Sequence, residues 1–101
     1  MVRYRDRFEW DPVKHRANAS KHGVRFEDAV AIFEGFTLSW VDERADYGEV
    51  RHISVGRVRG GVALVVVHTD RSGVDRIISA RAANQWERRR YDEAVQDALD
   101  T

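Results

Sequence analysis

The chain has 101 residues, with 17 Lys and Arg against 17 Asp and Glu, 43% hydrophobic residues and no cysteine. A chain of this length holds a single core and leaves little room for a deep, lidded pocket. The missing cysteines exclude disulfides, thiolate metal sites and thiol nucleophiles, and no apolar run nears the roughly 20 residues a membrane span needs. One domain over residues 1–101 is therefore expected, in a reducing cytoplasm. The charged start, MVRYRDRFEW, lacks the apolar region of a secretory signal. His15, His22, His52 and His68 do not fall at a metal-ligand spacing, so neither a metal nor another cofactor is expected.

The zero net charge conceals an uneven distribution. Residues 1–49 carry eight bases and ten acids, residues 50–90 nine arginines and three acids, and residues 91–101 four acids and no base. Arginine outnumbers lysine fifteen to two. The planar guanidinium suits phosphate and carboxylate and stacks on bases, so the clustered arginines call for an anionic partner.

Taken in chain order, Phe8-Glu9-Trp10 reads as a short strand. Asp11 and Pro12 open a helix that runs to about His22, with Gly23 as its left-handed stop. Lys21 and His22 sit in the last turn, where positive side chains suit the helix dipole, so helix termination accounts for them without catalysis. Phe26 to Glu34 reads as a second helix with Phe26, Ala29, Val30 and Phe33 on its apolar face. Thr37 to Asp42 alternates weakly. Val50 to Val58, Val62 to Thr69 and Val74 to Ala82 read as strands separated by glycine turns, the middle one apolar enough to be covered on both faces. Asn84 and Glu87 form a capping box for a last helix that directs Trp86, Tyr91, Ala94, Val95, Ala98 and Leu99 to the core. The order is β-α-α-β-β-β-β-α: an α+β domain with a small antiparallel sheet of about four to five strands, two N-terminal helices and one C-terminal helix.

If Gly60-Gly61 and Ser72-Gly73 are the central pairs of tight hairpin turns, the register follows. Arg57 then pairs with Leu64, Ile53 with His68, His52 with Thr69, Thr69 with Arg76, His68 with Ile77 and Leu64 with Arg81. His52, Thr69 and Arg76 would line one face, with Arg51, His68 and Arg81 on the other among Ile53, Val55, Leu64, Val66 and Ile77. On this apolar face His68 is expected to be a packed, hydrogen-bonded histidine. The His52–Thr69–Arg76 row admits two readings: a proton-transfer and phosphate-holding group, or a polar strand surface facing solvent. Arg88-Arg89-Arg90 is either a solvated helix face or a phosphate track.

The motifs FEWDP with Lys14, Asn18-x-x-KHGV-x-FE-x-A, Tyr47-Gly48-Glu49-x-Arg51, VVVHT, RIISARAA and ERRRY, spread in order from Phe8 to about Tyr91, resemble those of the BrnT toxins of BrnT–BrnA toxin–antitoxin systems. The resemblance implies a RelE-like fold and a bacterial ribonuclease that cuts RNA and arrests translation. It also implies neutralisation by a ribbon-helix-helix antitoxin, BrnA-like, through which alone the pair would meet operator DNA. By motif position, Arg51, Thr69, Arg76 and Arg81 are the residues expected to act on RNA, with Lys14, Lys21, Ser79 and Tyr91 as further contacts. His52 departs from the pattern, which leads one to expect an aromatic or apolar residue there. It is either a local substitute catalyst or a surface change.

With neither cysteine nor metal ligands, cleavage would use the substrate's own 2′-hydroxyl and leave a cyclic 2′,3′-phosphate and a 5′-hydroxyl. A metal-independent endoribonuclease is the expected function. A non-catalytic module that binds nucleic acid or protein through the same basic sheet is the alternative, and a structural subunit stable only with its partner is a third reading. Trp40 and Trp86 are possible parts of a partner strip, although tryptophans more often fill the core.

Overall fold

The computed structural model describes residues 1–59 and 61–100. Two short strands come first, β1 (Val2–Tyr4) and β2 (Phe8–Trp10), joined by a turn in which Arg5 and Asp6 take φ of 53° and 56°. The Asp11 carboxylate caps α1 (Pro12–His22), its Oδ1 accepting the Val13 N–H at 2.8 Å and the Lys14 N–H at 3.4 Å. Gly23, left-handed at φ 70°, ends the helix as expected.

The second helix is shorter than its sequence suggests. α2 spans Phe26–Ala29 and tightens into a 3₁₀ segment, Val30–Glu34. Three residues per turn put Ile32 in line with Phe26 and Ala29, and all three are fully buried. Phe33, expected on that face, lies at the border of the core, edge-on to His68.

The remaining elements are β3 (Leu38–Val41), β4 (His52–Arg57), β5 (Ala63–Arg71), β6 (Val74–Ala82) and α3 (Gln85–Leu99). The six strands form one sheet in the order β1-β2-β6-β5-β4-β3. The sheet is mixed, because β2 lies parallel to β6, with Phe8 beside Asp75 and Glu9 beside Arg76. The extra strand β1 and this parallel pair depart from the antiparallel sheet and from the RelE-like order expected above.

Both registers differ from the expectation, for local reasons. Ser72 and Gly73 do form a two-residue turn with positive φ, and Thr69 pairs with Arg76 and His68 with Ile77. A bulge then shifts the ladder, so that Leu64 meets Ala82 and not Arg81. In the other hairpin Val58 and Val62 are hydrogen-bonded across residues 59–61, one residue more than a two-residue turn. The proposed Gly60-Gly61 turn falls partly on Gly60, outside the described residues. The extra residue slides β4 by one position: His52 pairs with His68, Ile53 with Val67 and Arg57 with Ala63.

Helices cover both faces. Phe8, Trp10, Phe26, Ile32, Leu64, Val66 and Ile77 form the core under α1 and α2. Ile53, Val55, Val65, Val67 and Tyr91 form a smaller one under α3. Gly56 lets the 3₁₀ segment close on β4, since a Cβ there would stand 2.8 Å from Ile32 Cβ. Asn18, the one buried residue of α1, closes the edge of β6 left free where β2 ends. Its side chain donates to Ala80 O at 2.8 Å and accepts the Ala80 N–H at 3.1 Å. At the other side α3 presents only a narrow stripe to the sheet. Tyr91 is buried and Val95 partly so, but Trp86, Ala98 and Leu99 are exposed, contrary to the expected core face.

Candidate nucleic-acid interface

A cleft opens on the α3 side of the sheet, lined by Asp11, Lys14, Arg51, Arg71, Arg76, Ile77 and Ile78. Four elements of the fold converge there. Lys14 stands in the first turn of α1, Arg51 just ahead of β4, Arg71 at the end of β5 and Arg76 on β6. The Thr69 hydroxyl donates to Val50 O at 2.7 Å, which fixes the segment carrying Arg51 against β5.

Each guanidinium is aimed by a carboxylate. Arg51 Nε donates to Glu49 Oε2 at 3.0 Å, and its guanidinium lies 4.2 Å from the centre of the Tyr47 ring. Arg71 donates to the other oxygen of Glu49 at 2.7 Å. Arg76 Nε donates to Glu9 Oε2 at 2.8 Å, and Glu9 is buried. The hydrogen bonds from Arg51 and Arg71 hold the Glu49 carboxyl below its usual range. A guanidinium has five N–H donors in a fixed fork, so each arginine keeps donors to offer an anion.

Lys14 also borders a shallower groove with Ala17, Asn18, Lys21, His22, Ile78 and Ser79. Lys14 and Lys21 are seven residues apart, two helical turns or about 10 Å along one side of α1. The cationic surface therefore runs from the arginines past Lys14 to Lys21 and Ser79.

The other residues singled out in the sequence lie elsewhere. His52 faces the α1 and α2 side next to His68, with ring centres 6.0 Å apart, because of the one-residue slip. The His52–Thr69–Arg76 row therefore does not form. Thr69 is buried and spends its hydroxyl on Val50. Arg81 shares a face with Arg76, but both its terminal nitrogens bind Glu87, at 2.8 and 2.7 Å, in a separate groove with Trp40, Arg44 and Ile53. Tyr91 donates its hydroxyl to Phe36 O at 2.9 Å within the core, out of reach of a stacked base.

His68 is the packed histidine expected. Its Nδ1 lies 2.8 Å from Asp75 Oδ1 and its Nε2 2.7 Å from Ser54 Oγ, which in turn meets Ser39 Oγ at 2.6 Å. The arrangement has the form of a serine–histidine–aspartate relay, but Ser54 has no exposed surface and cannot meet a substrate. It joins four neighbouring strands. Among the described residues, no group of three or more His, Cys, Asp or Glu could hold a metal ion, and no helix is long and apolar enough to cross a membrane.

Sequence reasoning missed Glu9, Arg71 and the placing of Asp11. The Glu49-x-Arg51 spacing was a readable signal, since residues two apart in an extended chain point the same way. Arg71 and Glu9 reach the site through long-range pairings that no local pattern announces.

Fold and cleft together define a small α+β protein in which Lys14, Arg51, Arg71 and Arg76 line one cleft. The family model described as "Ribonuclease toxin, BrnT, of type II toxin-antitoxin system" matches residues 10–87, and the chain belongs to this BrnT family. The crystal structure of the Brucella abortus ribonuclease toxin BrnT is similar, at 24% identity over 78% of this chain and 97% of that one, with a TM-score of 0.60; the likeness is one of fold. No curated protein sequence matches the chain.

Proposed function

We propose that this member of a ribonuclease toxin family cleaves RNA in the cleft of Lys14, Arg51, Arg71 and Arg76, without a metal, and so arrests translation in the cytoplasm. The convergence of those four cations on one concave surface carries the reading. A strand bound there places one phosphate among the arginines, and Lys14, Lys21 and Ser79 hold its continuation along α1. The guanidiniums stabilise the charge that builds on the phosphate when the 2′-oxygen, its proton passed to a base, bonds to phosphorus; the P–O5′ bond then breaks and the departing 5′-oxygen takes a proton from water. The proton acceptor in the lining is Asp11. Its Oδ1 is engaged in capping α1, while Oδ2 has no hydrogen bond among the described residues. The products are a cyclic 2′,3′-phosphate and a 5′-hydroxyl.

The family is the toxin half of a two-protein system, so an antitoxin is its partner. A ribbon-helix-helix protein of the BrnA kind fits that role, and operator DNA would be reached only through it.

One observation favours the second reading, a binding module that does not cut. Among the described residues no histidine lines the cleft of the arginines; His52 and His68 stand side by side elsewhere on the sheet, and His22 lines only the adjoining groove. Expressing the chain alone separates the two. Growth arrest with fragmented RNA, abolished by Arg76→Ala, supports the nuclease. RNA that binds with steep salt dependence but stays intact supports the module.

A further inference from the structure

The strand β3 is the outer strand of the sheet on the side away from β1, so among the described residues one row of its backbone N–H and C=O groups has no strand beside it. Folded proteins ordinarily blunt such an edge with charge, proline or a covering element. Here the edge carries apolar side chains instead. Trp40 is 37% exposed and Val41 46%, with Phe36 at 45% just before the strand. Trp86, in the first turn of α3, is 63% exposed, and together with Leu38, Ser39, Trp40 and Arg90 it lines a mostly apolar groove beside the edge.

One charge marks this groove. The Arg90 guanidinium lies 5.7 Å from the Trp86 ring centre, and no carboxylate among the described residues is paired with it. The two arginines of the adjoining groove differ, Arg44 being held by Asp42 and Arg81 by Glu87. Trp40 borders both grooves, and Ile53 in the second stands two residues from Arg51 on the same side of the chain. The apolar surface thus leads from the sheet edge towards the cationic cleft.

We propose that this edge and groove are where the antitoxin docks: an extended antitoxin segment adds to β3 as a further strand, lays apolar side chains on Trp40 and Trp86, and sets a carboxylate on Arg90. The proposal deepens the functional reading above and rests on it for the partner's identity. An open strand edge supplies main-chain bonding, and alternate side chains of the added strand supply specificity. Exposed tryptophan and arginine are the residue types that dominate binding at such surfaces. RNA is the poorer occupant, since the groove is lined by one cation, Arg90, where Lys14, Arg51, Arg71 and Arg76 together line the cleft. From the edge, the bound segment can continue over Ile53 towards Arg51 and obstruct the cleft.

The test titrates the purified cognate antitoxin into the wild-type chain and into Trp86→Ala and Arg90→Glu variants by calorimetry. RNA cleavage and thermal unfolding of each chain alone are measured in parallel. Each variant is expected to bind the antitoxin at least about thirtyfold more weakly, with cleavage and unfolding unchanged. In the wild-type complex the amides of Leu38–Val41 should exchange more slowly. Unchanged antitoxin affinity in both variants overturns the proposal. So does weakened RNA cleavage at constant antitoxin affinity, which would assign the groove to RNA, or a wild-type dimer lost in both variants while antitoxin binding persists, which would assign it to a second copy. Should the wild-type chain leave RNA intact while the variants still lose the antitoxin, the docking site stands and the nuclease reading fails.

Discussion

Arg76 on β6 and Glu9 on β2 face each other across the one parallel strand pair of the sheet, with Nε 2.8 Å from Oε2. The carboxylate is buried, and its other oxygen lies 3.6 Å from Arg3. The contact ties the N-terminal strand to the sheet and also aims one arginine of the cleft. Glu9→Gln should cost about 1–3 kcal/mol, as losing a hydrogen-bonded partner of a half-buried charge does. It should lower the urea midpoint and slow RNA cleavage together.

The arginines should divide by position. Arg51→Ala and Arg76→Ala are expected to lower the cleavage rate by about a hundredfold each, the usual effect of losing a donor to a developing oxyanion. Arg81→Ala should leave that rate within about threefold, because its guanidinium lines another groove, where it is bound to Glu87. Single-turnover rates on one short RNA distinguish these outcomes.

Asp11 allows its two roles to be separated. Asparagine caps a helix about as well as aspartate, so Asp11→Asn should change unfolding stability by less than about 0.5 kcal/mol. It should still lower cleavage by about a hundredfold or more, since an amide cannot accept the 2′-hydroxyl proton. RNA affinity, measured by fluorescence anisotropy, should hold.

Acid should weaken the fold through its paired carboxylates. The hydrogen bond from Arg44 holds the Asp42 carboxyl well below its ordinary 3.8, against the opposing effect of burial. The bond from Arg81 holds Glu87 below its ordinary 4.5. A carboxyl depressed in the folded state contributes stability that is complete above its unfolded value and is lost as pH falls towards the folded one. Denaturation curves should therefore show stability level near neutrality and declining below the ordinary carboxylate range. Asp42→Asn and Glu87→Gln should each lower the plateau and flatten the decline.

The Ser39–Ser54–His68–Asp75 chain should matter for stability alone. Ser54→Ala leaves His68 Nε2 without its partner inside the sheet, at a cost of about 1–3 kcal/mol. Calorimetric melting should record the loss while the cleavage rate at a permissive temperature stays unchanged.

The legibility of this fold followed the range of the interactions. The Asp11 cap, the Gly23 stop, the Asn84–Glu87 capping box and the bounds of β6 are local and stood in the sequence. The pairing of β2 with β6 joins residues more than 60 positions apart, and nothing around Phe8 announces it. One added loop residue and one bulge then decided which side chains meet, sending His52 to the wrong face for a row with Arg76. Lys14, Arg51 and Arg76 were readable as cations of interest. Their aiming by Glu9 and Glu49 was not, because it depends on that same register.

The chemical ends of RNA cut by the purified chain in excess EDTA separate attack by the substrate's own 2′-hydroxyl from metal-assisted hydrolysis. Undiminished cleavage is expected, leaving cyclic 2′,3′-phosphates and 5′-hydroxyls and slowed about a hundredfold in Arg76→Ala. Fragments with 5′-phosphates, formed only when divalent metal is restored, would contradict attack by the 2′-hydroxyl.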